Sequence, residues 1–284
     1  MNELYETKNF KLTKEEITRY SRNIFLKEIG LEGQVKLKKS KVLIIGAGGL
    51  GSPILYYLAA SGVGFLKVCE YDIVDPTNLQ RQFLYDTKDV GKKKSEVLKK
   101  RILEFNPYIE LEVVSERLTP ENAFHIIRNV DLVIDGSDNF ATRFLVNDVC
   151  YFQEIPLITG GVIQFYGLII GIEPKKTFCY RCLLEHPPEE AENCSTVGVM
   201  GSMVGVIGSL MSLEAVKYLL GISPNIMGQI IRYDGLMQEF RIQNIQKTPT
   251  CILCGENPQI KHFEKENFDY QQVCNPLPAF MKVI

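Results

Sequence analysis

A short apolar run that leads into a glycine-rich loop constrains this chain more than any other feature. Residues 42–45 read Val-Leu-Ile-Ile, and Gly46, Gly48 and Gly51 follow before an apolar helical stretch that reaches Ser61. An uninterrupted apolar run of this length is typical of a strand buried on both faces of a parallel sheet. Glycines at this spacing let the backbone approach a phosphate at a helix N-terminus. The pattern therefore predicts a nucleotide-binding strand–loop–helix unit.

Strand and helix patterns alternate over the first 160 residues of the chain. The later strand patterns cover 65–71, 109–114, 131–135 and 156–159, and helical patterns cover 92–104 and begin at Thr119 and after Asn139. Strands that alternate with helices in this way form parallel sheets with helices on both faces. We therefore expect an α/β fold with a doubly wound, Rossmann-like, mostly parallel sheet.

The pattern changes beyond Gly161. Residues 162–172 read as a strand with a glycine-containing kink, and two further strand-like runs lie near 226–233 and 238–245. We expect these strands to form an antiparallel C-terminal extension of the sheet. Residues 183–196 are rich in proline and glutamate, and this composition predicts a mobile surface loop.

An uncharged stretch of twenty residues, 194–213, is the part of the chain most similar to a membrane span. Half of its residues are glycine, serine, threonine or cysteine, which is too weakly apolar for a spanning helix. Small residues at regular spacing favour a buried helix that packs closely against a neighbour. We expect this helix to end at Gly221.

The N-terminal region has a different pattern from the nucleotide-binding unit. Residues 13–16, Thr-Lys-Glu-Glu, have the spacing of a capping box and predict a helix that runs to about Gly30. A basic, polar connector is expected over 33–41. We therefore divide the chain into an N-terminal helical arm over residues 1–40 and a nucleotide-binding domain over 41–284, which includes the cysteine pairs and the tail.

The overall charge is close to neutral. The 284 residues include 32 Lys and Arg against 34 Asp and Glu, for a net charge of -2. This balance argues against nucleic acid or a membrane surface as a partner. The polar N-terminus lacks the apolar core of a secretory signal. The eight cysteines are few for this length, so we expect a soluble cytoplasmic protein.

Two carboxylates end the second predicted strand. Glu70 and Asp72 come about twenty residues after the glycine loop, where a carboxylate binds the ribose hydroxyls of a bound nucleotide. Taken with the strand, the glycine turn and the helix, this acid supports a nucleotide site. By itself, the motif does not identify the nucleotide.

Several polar and cationic side chains near the loop do not fit a plain dinucleotide site. Asn78 and Arg81 lie just beyond the acidic strand end. Lys94 begins the next helical pattern, and Arg22 lies on the first predicted helix. A triphosphate that releases pyrophosphate carries more charge than the pyrophosphate of a dinucleotide, and cations stabilise that charge. The set favours nucleotidyl transfer, although Lys94 could instead belong to a solvated helix start.

Asp138 and Asn139 follow the fourth parallel strand pattern. The carboxyl ends of parallel strands meet in one crevice, so these side chains should face the same site as the glycine loop. A carboxylate there is a suitable Mg²⁺ ligand. The alternative is that Asp138 only caps the next helix.

Two Cys-x-x-Cys pairs form the most specific single motif. Cys179 with Cys182 and Cys251 with Cys254 supply four thiolates, the ligand set of a closed tetrahedral Zn²⁺ site. Four sulfur ligands leave no open position, so the predicted zinc is structural. The alternative is a thioredoxin-like redox pair, but neither cysteine pair has the strand–helix–strand setting of that motif.

The complete set of motifs closely resembles the HesA/MoeB/ThiF family, which is related to the adenylation half of ubiquitin-activating enzymes. The motifs, in chain order, are Arg-Tyr-Ser-Arg at 19–22, Gly-Ala-Gly-Gly-Leu-Gly at 46–51, Asn-Leu-Gln-Arg-Gln at 78–82, Asp-Asn at 138–139 and the two cysteine pairs. The resemblance extends from about Thr13 to Cys274. It implies a homodimer that uses ATP and Mg²⁺ to adenylylate a small ubiquitin-like sulfur carrier, MoaD- or ThiS-like, at its C-terminal Gly-Gly.

The resemblance also implies roles by position. It places Gly49 at the phosphates and Glu70, where the family usually has Asp, at the ribose. The phosphate chain would contact the remaining polar and cationic residues, Asn78, Arg81 and Lys94. Asp138 matches a metal-site aspartate, and Arg22 matches an arginine that reaches across the dimer.

Cys194 matches a cysteine whose role differs between members of the family. In some members the counterpart attacks the acyl adenylate or forms an acyl disulfide, and in others it is unreactive. The acidic residues at 189–192 would raise the pKa of this thiol and offset a nearby helix dipole. We expect adenylate formation not to require Cys194.

Three alternatives stay open at this point. An NAD-dependent oxidoreductase would explain the glycine loop but gives Arg22, Lys94 and Asp138 no role. A tRNA-modifying dehydratase of the TcdA type usually lacks the paired cysteines and reads Asn-Ile-Asn-Arg where this chain has Asn-Leu-Gln-Arg. A non-enzymatic scaffold would not need the charged residues.

The tail resembles the segment before a rhodanese domain, and only 30 residues follow Cys254, so we expect a separate sulfurtransferase. The pathway, molybdopterin or thiamin synthesis, stays undetermined.

Overall fold

The computed structural model describes residues 6–7, 10–186 and 198–263, which form a mixed α/β structure. Its strands are β1 (Glu6–Thr7), β2 (Phe10–Lys11), β3 (Lys41–Ile45), β4 (Phe65–Cys69), β5 (Glu110–Val114), β6 (Leu132–Asp135), β7 (Leu157–Ile163), β8 (Tyr166–Ile172), β9 (Gln229–Asp234) and β10 (Glu239–Asn244). Its helices are α1 (Lys14–Arg19), α2 (Ser21–Ile24), α3 (Gly30–Lys39), α4 (Gly51–Ser61), α5 (Lys94–Phe105), α6 (Ala123–Ile126), α7 (Phe140–Gln153), α8 (Tyr180–Leu183) and α9 (Gly201–Leu220).

Eight strands form the central sheet, in the order β10-β9-β8-β7-β6-β3-β4-β5. The neighbours from β7 to β5 pair in parallel, so their carboxyl ends meet at one edge. β8, β9 and β10 pair antiparallel to their neighbours. The predicted parallel sheet with an antiparallel C-terminal extension is confirmed.

Strand β3 is buried on both faces, as its apolar run predicts. Val42 and Ile44 pack into one hydrophobic cluster, which includes residues of α4, α5 and α9. Leu43 and Ile45 point the other way and pack into a second cluster with α7. Because side chains alternate along a strand, four consecutive apolar residues supply both sides of the sheet.

The predicted N-terminal elements are partly wrong. The helix expected from residue 13 to Gly30 is two short helices, α1 and α2. The connector expected over 33–41 is helix α3, whose residues Val35 and Leu37 are buried in the core. The lysines make the composition of this segment polar, but its apolar residues lie on one narrow face of the helix. Burial of that face favours a helix over an irregular connector.

Two further expectations about elements need correction. The strands expected at 156–159 and 162–172 are one hairpin, in which β7 continues to Ile163 and turns at Gln164 into β8. The backbone φ of Gln164 is 50°, which closes this turn. The helix expected from Thr119 is a single turn, α6.

Helix α9 is the glycine-rich helix that the sequence predicts, and it ends before Gly221. Among the described residues it is the one helix long and apolar enough to cross a membrane, but half of that apolar stretch is buried within the protein. A Cβ atom on Gly208 would lie 2.4 Å from Cγ of Pro53 and 2.8 Å from the carbonyl oxygen of Leu50. Glycine therefore lets α9 approach the first turn of α4 closely.

The close contact between α9 and α4 generates a stability prediction. Gly208→Ala should lower the free energy of unfolding by about 1–3 kcal/mol, because the new methyl group overlaps backbone and proline atoms. Gly205→Ala is the matched control, since nothing lies within 4 Å of its Cβ position. That variant should gain up to about 1 kcal/mol from helix propensity. Urea unfolding measures the free energy of unfolding of both variants. A Gly208→Ala variant as stable as the wild type would contradict the close contact.

Candidate functional site

A cavity of about 280 Å³ lies at the carboxyl ends of the parallel strands. Ligand pockets in proteins have volumes of about 300 Å³ or more, so this cavity is large enough to enclose part of a small ligand. The rest of the ligand would extend through the open mouth of the cavity. The predicted site residues that line it are Gly46, Gly48, Gly49, Glu70, Asp72, Asn78, Arg81, Lys94, Asp138 and Asn139. The parallel topology thus brings together residues that are up to 93 positions apart in the chain.

The glycine loop turns sharply between β3 and α4. Gly46 has a φ of 84°, in the left-handed region that favours glycine. A Cβ atom on Gly51 would lie 2.2 Å from the carbonyl oxygen of Gly46, so Gly51 keeps the turn closed although it does not line the cavity. At the start of α4 the Ser52 amide donates to the carbonyl oxygen of Gly48, and Pro53 has no amide hydrogen. The loop glycines Gly48 and Gly49, which line the cavity, are therefore the backbone suited to approach an anion.

Glu70 braces this loop from the neighbouring strand. Its side chain is buried, and Oε2 accepts a hydrogen bond of 2.8 Å from the amide of Ala47. Oε1 accepts another, also 2.8 Å, from the amide of Asp72. A carboxylate oxygen can accept more than one hydrogen bond, so Glu70 keeps capacity for a ligand.

Lys94 is buried at the start of α5. Its ammonium group lies 3.1 Å from Oδ2 of Asp72 and 3.5 Å from Oδ1 of Asn78. The side chain is 3% exposed, whereas the carboxylate of Asp72 is 52% exposed. Lys94 therefore does not belong to a solvated helix start, although its neighbour Lys92 is exposed.

The segment between β4 and α5 carries further polar groups to the cavity. Gln82 donates a 2.9 Å hydrogen bond to Oδ1 of Asn78, and Arg81 donates a 3.1 Å bond to the carbonyl oxygen of Thr77. Gln82 Oε1 is buried without a hydrogen-bond partner in the described structure. Nε2 of Gln82 lies 3.4 Å from the position that a Cβ atom on Gly48 would occupy. A larger residue at position 48 would thus crowd Gln82.

Asp138 and Asn139 have different local roles. Asn139 is the N-cap of α7, because its Oδ1 accepts a 2.9 Å hydrogen bond from the amide of Thr142. The helix cap is therefore not Asp138. The Asp138 carboxylate is exposed at the cavity, and no hydrogen bond holds it within the part of the chain that the structure describes.

Sequence reasoning missed two buried charged residues below Asp138. Asp135 accepts hydrogen bonds from the Ser137 amide at 2.9 Å and from Oγ1 of Thr159 at 3.0 Å. Burial raises the pKa of Asp135, and nearby Arg143 opposes this shift. No local sequence signal distinguishes Arg143, because α7 also contains Asn147 and Asp148.

The four paired cysteines come together as predicted. Their sulfur atoms all lie within 4.8 Å of one another. Individual distances are 3.6 Å from Cys179 to Cys251, 3.3 Å from Cys182 to Cys254 and 4.0 Å within the first pair. A tetrahedral zinc with Zn–S bonds of about 2.3 Å separates its sulfurs by about 3.8 Å. The donor set and its spacing therefore fit a tetrahedral metal ion.

Two predicted residues lie away from the cavity or outside the described chain. Arg22 is exposed on α2 and does not line the cavity. Its guanidinium lies 5.9 Å from the ring centroid of Phe25, which is 74% exposed. Cys194 and most of the loop expected at 183–196 lie outside the described residues.

Comparison with known proteins agrees with this geometry. The ThiF family profile matches residues 20–253. A sulfur carrier protein adenylyltransferase of Thermus thermophilus is 43% identical, over 92% of this chain and 98% of its own length. The adenylyltransferase and sulfurtransferase MOCS3 of Culex quinquefasciatus is 41% identical over 93% of this chain, which spans 60% of that protein.

Solved structures show the same fold. The crystal structure of E. coli MccB with ATP has a TM-score of 0.73 and 27% identity, over 83% of this chain and 74% of that chain. A second MccB structure, with MccA-N7isoASN, has a TM-score of 0.74 and 27% identity, over 84% of this chain and 75% of that chain. The sequence resemblance to this family is therefore confirmed, and the chain belongs to the ThiF family.

Proposed function

We propose that this protein is an adenylyltransferase that uses ATP to activate the C-terminal glycine of a ubiquitin-like sulfur-carrier protein. One observation carries the proposal: a braced glycine loop, buried Lys94 and exposed Asp138 line a single cavity. The names of the Thermus thermophilus and MOCS3 relatives support the reaction and the carrier. The crystal structure of E. coli MccB with ATP supports the nucleotide.

The cavity suits a triphosphate better than a dinucleotide. Gly48 and Gly49 of the glycine loop line the cavity directly before α4, where the backbone can approach a phosphate. Lys94 and Arg81 add two cationic side chains to the lining of the same cavity. A dinucleotide pyrophosphate rarely needs such cations, whereas a departing pyrophosphate develops additional charge. This argument and the family membership disfavour the oxidoreductase alternative.

The reaction needs no protein nucleophile. The carrier carboxylate is ionised at neutral pH, and one of its oxygens forms a bond to the α-phosphorus of ATP. The bond from the α-phosphorus to the bridging oxygen breaks, and pyrophosphate leaves with both electrons. The protein residues orient the two substrates and neutralise charge, which are the main contributions to phosphoryl-type transfer.

Asp138 fits a magnesium ion because its carboxylate is exposed at the cavity and carries no hydrogen bond in the described structure. Hard divalent cations prefer such oxygen ligands and retain several waters. When bound, Mg²⁺ would neutralise negative charge on the leaving pyrophosphate. Asn139 is occupied as a helix cap, so it would contribute through the position of α7.

The proposed assembly is a homodimer in which Arg22 serves the partner's site. Arg22, Phe25 and Leu26 are exposed next to one another on the N-terminal arm. Exposed large apolar residues in a group are typical of an interface. The sulfur donor, a separate sulfurtransferase, stays a prediction, and so does the choice between molybdopterin and thiamin synthesis.

We also propose that the four cysteines hold a structural Zn²⁺. Four sulfur ligands leave no coordination position for a substrate. The ion would join α8 to residues 251–254 and so fasten the last described segment to the sheet. Cys251 and Cys254 are buried against Ile252, Leu253 and Tyr151, which form a small apolar cluster around the sulfurs.

Elemental analysis tests the zinc proposal. Protein purified under reducing conditions should contain about one zinc per chain, and chelation should lower its melting temperature. Cys251→Ala should lose the metal. Cys150→Ala is the matched control, because Cys150 is a buried cysteine outside the cluster, and it should keep the metal. Zinc-free protein from a reducing, chelator-free preparation would contradict the proposal.

A substitution at Asp138 tests the catalytic site. Asp138→Ala should lower the rate of ATP–pyrophosphate exchange by at least about 10²-fold, as does loss of one preorganised electrostatic contact in other enzymes. The assay requires purified carrier that ends in Gly-Gly. Asp131→Ala is the control, since Asp131 is exposed at the opposite end of β6. Near wild-type exchange by Asp138→Ala would show that the reaction does not require Asp138.

Mixed dimers test the position of Arg22. Arg22→Ala and Asp138→Ala proteins should each be inactive, because each lacks one residue of every site. After subunit exchange, random pairing should restore about a quarter of the maximal sites, those with both residues intact. Exchange is verified by mass spectrometry of tagged subunits. If no activity returns after verified exchange, Arg22 acts within its own subunit.

A further inference from the structure

The two residues between the first pair of cysteines are buried against α7. Arg181 forms an ion pair with Asp148, with Nε 2.9 Å from Oδ1 and Nη2 2.7 Å from Oδ2. The amide of Tyr180 donates a 2.8 Å hydrogen bond to Oδ1 of Asn147. The Tyr180 ring packs edge-on against Phe144, with 5.3 Å between centroids. The cysteine segment is thus fastened to the middle of α7.

The beginning of α7 holds the loop that carries Asp138. Nη2 of Arg143 donates hydrogen bonds to the carbonyl oxygen of Ser137 at 3.0 Å and to that of Gly160 at 2.8 Å. One buried guanidinium therefore bridges the loop after β6 and the middle of β7. Ser137 directly precedes Asp138, so a shift of Arg143 would move the exposed carboxylate.

Tyr180 and Arg143 connect these two sets of contacts. The phenolic oxygen of Tyr180 and Nε of Arg143 are both buried, and neither has a hydrogen-bond partner in the described structure. Burial raises the pKa of Tyr180, and the adjacent Arg143 lowers it. Burial lowers the pKa of Arg143, but Tyr180 and Asp135 raise it, and the net pKa lies above its usual value. The side chains of Tyr180 and Arg143 are therefore close enough to interact electrostatically within the core.

A polar path therefore runs from the cysteine cluster to the nucleotide site. It consists of buried groups, and a buried polar group that loses its partner is costly. A displacement at the cysteines would disturb Tyr180, then Arg143, and then the carbonyl of Ser137. A cluster that only fastened the C-terminal segment would not need these contacts.

We propose that the cysteine segment 179–182 acts through α7 as a positioning element for the nucleotide site, with Tyr180 and Arg143 as positioning residues for the Asp138 loop. The structural part of this inference is independent of the reaction. Its catalytic consequence rests on the adenylylation proposed above. Neither residue is expected to contact the reacting atoms.

Hydrogen–deuterium exchange tests the structural part in the full-length protein. Tyr180→Phe removes only a hydroxyl and keeps the ring packing, and Arg143→Lys keeps the charge but not the bridge between two carbonyls. Both should accelerate exchange in the peptide that covers 136–139 by at least about tenfold. Both should retain the wild-type metal content. Cys251→Ser, at the distant cysteine pair, should accelerate exchange in the same peptide.

Tyr151→Phe is the matched control. Tyr151 is another tyrosine of α7, it packs on the cysteine cluster, and its ring faces the ammonium group of Lys175 at 3.6 Å. This variant should leave exchange at 136–139 unchanged. Wild-type exchange there in both Tyr180→Phe and Arg143→Lys, or in Cys251→Ser, would overturn the proposal.

Kinetics test the catalytic consequence. Tyr180→Phe should lower kcat for ATP–pyrophosphate exchange roughly tenfold, because it removes the polar group next to the buried Arg143 guanidinium. KM for the carrier should change by less than about twofold, because positioning acts on the transition state. The double variant with Arg143→Lys should be no slower than Arg143→Lys alone. Additive losses, or an unchanged kcat, would overturn this role. If wild-type protein lacks exchange activity, the proposed function fails, while the deuterium experiment still decides the positioning.

Discussion

The nucleotide site depends on the carboxylate of Glu70. This one group accepts hydrogen bonds from the amide of Ala47 in the glycine loop and from the amide of Asp72 at the end of β4. It therefore fixes two strand ends relative to each other before any ligand binds. A loop held in this way keeps Gly48 and Gly49 in place at the cavity, and such preorganisation lowers the cost of binding charge. The longer reach of Glu, compared with Asp, allows both contacts from a buried position.

The sequence predicted the sheet and most of the cavity because their signals are local. Apolar runs of four and three residues identified β3 and β6, and chemistry-bearing residues directly follow those strands. Parallel pairing then brings the strand ends together, so the glycine loop and Asp138 could be placed in one site without knowledge of any distance. The cysteine pairs were equally local, since each pair has its own spacing.

The features that the sequence did not predict depend on tertiary contacts, which no local sequence pattern indicates. Residues 33–41 have the composition of a connector, yet Leu37 is fully buried and the segment is helical. The turn at Gln164 follows from pairing between β7 and β8, which a single strand pattern does not reveal. Arg143 looks like any helical arginine until the fold places it beneath the Ser137 carbonyl. Burial of a polar group is a property of the fold, so the sequence alone could not identify it.

The charges of the cavity differ in how firmly they are held. Arg143 and Asp135 are buried and hydrogen-bonded, whereas Asp138 is exposed and free of hydrogen bonds in the described structure. Lys94 lies between these extremes: its ammonium is buried, but its partner Asp72 is half exposed. A triphosphate can therefore replace Asp72 at Lys94 without leaving a buried carboxylate unpaired, because Asp72 can turn toward water. The buried groups hold the cavity in place, and in the proposed reaction the exposed carboxylates would be free to change partners as the nucleotide binds and pyrophosphate leaves.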